Sequence, residues 1–74
     1  MLNGRQKQIL DYVENYISEN GFSPTFQEIA DGTGFPKDSV YSRVQQLSIK
    51  GHLSYIPGKQ RTIRVVKHPE QEAV

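Results

Sequence analysis

With 74 residues and no cysteine, the chain has room for one small domain, which its apolar side chains must hold together without disulfides or a thiolate metal site. So small a core excludes a deep catalytic cleft, and no run approaches the roughly 20 apolar residues of a membrane span. The net charge of +1 hides a split, because residues 1–36 carry −3, residues 37–68 carry +6 and the last six residues carry −2. A half that basic suggests a face meeting a polyanion, although drift of this size also arises by chance. The opening "MLNGRQKQIL" lacks the apolar stretch of a secretory signal, so a cytoplasmic location is expected.

Asn3 and Gln6 form a capping pair ahead of Ile9, Leu10, Val13, Tyr16 and Ile17. Their helical spacing predicts a first helix over about 4–20, stopped by Asn20-Gly21. In "FSPTFQEIA", Pro24 breaks the chain, Thr25 supplies an N-cap and Glu28 completes a capping box, which starts a short second helix. Gly32 weakens its last turn, Gly34 suits a left-handed C-cap, and Phe35 is expected to turn back to the core. A third helix follows, with Pro36 to Asp38 at its start, Val40, Val44 and Leu47 as its buried stripe, and Lys50-Gly51 at its end. "HLSYI" and "RTIRVV" read as two strands joined through a turn on Pro57-Gly58, with Leu53 and Tyr55 on one face and Ile63 and Val65 likewise paired. Residues 1–66 thus form the domain, and 67–74 read as a flexible tail or the start of a linker.

Three helices and a C-terminal two-stranded β-hairpin make a mainly helical α+β fold, the order of a winged helix-turn-helix. Ala30, Gly34 and Val40 stand in the A-x3-G-x5-V relation of that motif. Ala30 is small where the third helix crosses, Gly34 supplies the positive-φ turn, and Val40 plugs the angle between the helices.

On the segments "RQKQIL", Gly21 to Ala30, Leu47 to Gly51 and "RTIRVV", the chain resembles the DNA-binding domain of LexA-type SOS repressors over residues 4–66. The resemblance implies a transcriptional repressor whose third helix enters the major groove and whose hairpin is a wing beside the phosphates. It assigns base contacts to the positions of Asp38, Ser39, Tyr41, Ser42 and Gln45. Two departures stand out. The segment from Gly34 to Val40 is one residue shorter than usual, and the outer face of the third helix differs, so the SOS operator is not the expected target. The dimerising domain that cleaves its own hinge in that family has no counterpart in these 74 residues, which suits either an excised domain or a small stand-alone protein.

The residues support a binding face independently. With Val40, Val44 and Leu47 inward, Asp38, Ser42, Gln45 and Ile49 lie opposite, and Ser39, Tyr41 and Gln46 lie on the flanks. Ser and Gln reach base edges by hydrogen bonds, and Tyr suits phosphate or a thymine methyl. Asp38 has two readings, an N-cap of the third helix and an acceptor for cytosine, with the cap favoured. Lys37, Arg43, Gln46, Lys59, Arg61 and Arg64 are candidates for phosphate, although the wing cations also read as ordinary solubilising charge on an edge strand. No metal, cofactor or catalytic constellation is expected: His52 and His68 have no third ligand in view, and "DGTGF" is not a phosphate loop. The expected partner is double-stranded DNA, with a homodimer formed either on the DNA or through a missing C-terminal domain as the expected assembly. The alternative is a winged-helix protein-interaction module that acts on another DNA-bound regulator.

Overall fold

The structure is a computed structural model and describes residues 4–66. Its order is α1 (Gly4–Asn20), α2 (Phe26–Thr33), α3 (Lys37–Ile49), β1 (Leu53–Ser54) and β2 (Arg64–Val65). Ile9 and Val13 fall on one stripe of α1 and are fully buried, while Leu10, Tyr12 and Ile17 flank them. Gly21, at φ 80°, ends that helix, and its N–H reaches the Ile17 carbonyl at 2.8 Å. Asn3 and the expected tail lie outside the described residues. Gln6 is buried, and its amide donates to Gln46 Oε1 at 2.7 Å while its Oε1 accepts from Lys50 Nζ at 3.1 Å.

The capping box of α2 is formed in full. Thr25 Oγ1 accepts from the Glu28 N–H at 3.1 Å, and Glu28 Oε1 accepts from the Thr25 N–H at 2.9 Å. Gly34 closes the helix at φ 81°, donating to the Ala30 carbonyl, and Phe35 packs against the core. Only Gly34, Phe35 and Pro36 separate α2 from α3. Pro36, not Asp38, is the N-cap of α3, and it offers no side-chain cap. Asp38 therefore stands in the first turn, where a carboxylate favours the positive end of the helix dipole without satisfying a particular N–H.

Val40, Val44 and Leu47 complete a core with Ile29 and Ala30 of α2, Leu53 of β1 and Ile63. Each buried Val, Leu or Ile side chain contributes about 1.5–3 kcal/mol, and the nine buried residues of this core come from all three helices, β1 and the segment just before β2. The strands are shorter than expected. They pair antiparallel in the register Leu53↔Val65 and Ser54↔Arg64, and the Val66 N–H extends the ladder to the His52 carbonyl at 3.0 Å. Towards the turn the ladder stops at the Ser54↔Arg64 pair because the second run leaves it: the Ile63 N–H donates to Ser23 Oγ at 3.1 Å, and Arg61 is left-handed at φ 58°. The turn does form on Pro57-Gly58, with Gly58 at φ 79° and the Lys59 N–H on the Ile56 carbonyl. Leu53 and Ile63 face inward with Tyr55 and Val65 half-buried, as the alternation implies. Among the described residues, no helix is long and apolar enough to cross a membrane.

Candidate nucleic-acid interface

Burying the Val40, Val44, Leu47 stripe turns the opposite side of α3 outward by geometry alone, since successive residues step by 100°. Asp38, Tyr41, Ser42, Gln45 and Ile49 are exposed, and Ser39 is half-buried beside them. Tyr41 is 47% exposed because one side of its ring rests on Phe26, 5.0 Å between centroids. Phe26 in turn meets Tyr55 edge to face at 5.7 Å, so an aromatic row links α3, α2 and the residue after β1. That row fixes the direction of Tyr41 and leaves Ser42 and Gln45 unobstructed.

A cleft of about 550 Å³ separates the first turns of α2 and α3 from the wing turn. Lys37, Asp38 and Tyr41 line it from α3, Gln27 from α2, and Lys59 and Gln60 from the wing. Gln27 and Gln60 went unnoticed in the sequence. Gln27 has one legible signal, its place in the first turn of the helix preceding α3. Lys37, Lys59 and Arg64 are exposed and form no ion pair with another described residue. Arg43 is half-buried, and its Nε has no hydrogen-bond partner among the described residues.

Two expected phosphate contacts are occupied elsewhere. Gln46 lies in the seam between α1 and α3, accepting from Gln6. Arg61 turns back to the body of the domain: Nη1 donates to Glu28 Oε1 at 3.1 Å and to the Ser23 carbonyl at 3.0 Å, and Nη2 donates to Glu28 Oε2 at 3.0 Å. Its guanidinium carbon also lies 5.1 Å from the Phe22 ring centroid. The paired charges act on each other. Glu28 is lowered to about 2, first by the Thr25 N–H and then by Arg61, while Glu28 and then Tyr16 raise Arg61. No group of three metal-ligating side chains occurs among the described residues, and His68 lies outside them.

Comparison with known proteins agrees with this architecture. The family model described as the LexA DNA binding domain matches residues 1–62. The chain is 39% identical over 69 residues to the LexA repressor of Oleidesulfovibrio alaskensis, which covers 93% of this chain and 33% of that protein. It is 41% identical over 68 residues to the LexA repressor of Ruminiclostridium cellulolyticum, covering 90% of this chain and 32% of that one. Against the LexA repressor of Thermosipho africanus it is 34% identical over 73 residues, covering 99% and 37% respectively. The chain thus spans about a third of the length of these curated relatives. Three helices and a wing in this order, and a family match over nearly the whole described domain, establish that the chain belongs to the LexA DNA-binding domain family.

Proposed function

We propose that this domain binds double-stranded DNA sequence-specifically, as the operator-reading part of a transcriptional repressor. The observation that carries the reading is the exposed, largely uncharged polar side of α3, whose first turn and Tyr41 line a cleft shared with the Lys59 turn of the wing. Ser42 and Gln45 suit base edges in the major groove, with Ser39, Tyr41 and Asp38 beside them. Lys37 and Lys59, on the two sides of the cleft, suit phosphates, and Arg43 and Arg64 extend the cationic surface. Arg61 and Gln46 are left out of the phosphate set because the Arg61 guanidinium is engaged by Glu28 and Ser23 and the Gln46 side chain is tied through its oxygen to Gln6 in the half-buried seam with α1. A second copy would bind a half-site about one helical turn away.

Selection of bound sequences from a random duplex pool supplies both the motif and the half-site spacing. On the selected sequence, Ser42→Ala or Gln45→Ala relaxes preference at one or two base pairs by about 1–3 kcal/mol and leaves binding to random DNA nearly unchanged. Equal losses on selected and random DNA would remove these residues from base reading. No binding at low salt and high micromolar protein would move the protein-interaction reading ahead.

A further inference from the structure

Two-residue strands are too short to hold a hairpin in place, so the direction of the wing must be set from outside its ladder. Two staples at Ser23 do this: its Oγ accepts the Ile63 N–H at 3.1 Å, and its carbonyl accepts from Arg61 at 3.0 Å. The stronger tie is the two-pronged pair between Arg61 and Glu28, whose parallel bonds fix orientation as well as distance. Arg61 also adopts φ 58°, a left-handed backbone in which L residues are disfavoured, so its side-chain contacts must offset that cost.

We infer that Arg61 is a positioning residue which, clamped on Glu28, fixes the Lys59 turn at a set distance across the cleft from the start of α2 and so sets where the wing meets DNA. The inference rests on the DNA-binding reading proposed above. Glu28 closes the capping box with the same carboxylate that grips Arg61, so the start of α2 and the wing are joined at a single side chain. Lys59 touches the ligand and Arg61 does not. A cation neutralised by a carboxylate adds little to counterion release, which is why the basic residue nearest the turn on β2's side acts through its neighbour.

Glu28→Gln separates this inference from simple electrostatics. Gln serves in a capping box, so α2 keeps its start, while the paired charge is lost. Removing a negative charge from a DNA-binding domain should tighten binding if charge alone counts; if the clamp positions the wing, binding weakens. The slope of log affinity against log salt then flattens by roughly 0.9, the share of the Lys59 contact. Lys59→Gln, which flattens the slope in the wild type, adds nothing in the Glu28→Gln background. Arg61→Lys keeps the charge, loses the fork and gives the same flattening. Amide exchange at Ile63 quickens in both variants without DNA, while Ile9 and Val13 in α1 keep their protection. Folded variants with wild-type slope and wild-type Ile63 exchange would overturn the inference, as would tighter binding by Glu28→Gln. A wild-type chain that binds no DNA would overturn the DNA reading and this inference with it; failure of the inference alone shows wild-type binding intact.

Discussion

A β-carbon on Gly32 would overlap the ring of Tyr12, which packs on the core from α1. In most helices Gly→Ala is stabilising by about 0.5–1 kcal/mol, because alanine loses less backbone entropy. Here the ring must move, and overpacking of this kind costs about 1–3 kcal/mol. Gly32→Ala therefore lowers the thermal midpoint, and Tyr12→Leu in the same chain recovers part of the loss; a raised midpoint for the single variant would show that the ring yields freely. Glu28 gives a second prediction at this scale. Its carboxyl is lowered from an ordinary 4.5 to about 2, chiefly by the Thr25 N–H and then by Arg61. A carboxyl that is more acidic folded than unfolded stabilises the fold only when ionised. Its contribution is whole above about pH 4.5 and is lost as pH falls towards about 2. The gap in stability between wild type and Glu28→Gln, followed by thermal melts, is constant from neutral pH down to about 5 and closes below it.

α2 is eight residues long, well short of what a helix needs to stand alone, so its ends matter more than those of α1. Thr25→Ala removes the oxygen that accepts the Glu28 N–H and costs about 1 kcal/mol, measurable by urea unfolding. A loss below about 0.3 kcal/mol would mean that packing of Ile29 and Ala30 holds the turn without its cap. α3 shows the opposite design. It starts on Pro36 with no side-chain cap, and its place is set by three fully buried residues and by the Gln6–Gln46 bond. The wing is anchored by side chains more than by its ladder, which is why its loop departs from regular pairing where Arg61 and Ile63 reach the body.

At the level of the molecule, the described residues expose four large apolar side chains, Phe22, Tyr41, Ile49 and Ile56. Phe22 lies under Arg61 and Tyr41 rests on Phe26, leaving Ile49 and Ile56 as separate outward contacts. Single exposed apolar side chains are ordinary on a monomer's surface and do not by themselves mark an interface. The 74-residue chain is expected to sediment as a monomer at micromolar concentration and to pair only on adjacent DNA half-sites; a stable dimer without DNA would contradict this.

The helices, the two caps of α2 and the core were legible in the sequence because each depends on neighbours within a few residues. Apolar spacing marks the buried stripes of α1 and α3, Thr25 and Glu28 lie three apart, and Gly34 supplies its own left-handed turn. The outer side of α3 was legible for the same reason, since burying one stripe of a helix dictates the other. What spacing could not convey was which polar groups find partners across the fold. Asp38 read as a cap, but the chain path makes Pro36 the cap residue. Gln46 and Arg61 read as free surface groups, yet Gln6 stands 40 residues from Gln46 and Glu28 stands 33 from Arg61. Whether a cation is free for phosphate or committed to a carboxylate depends on where distant segments meet, and only the tertiary structure decides that.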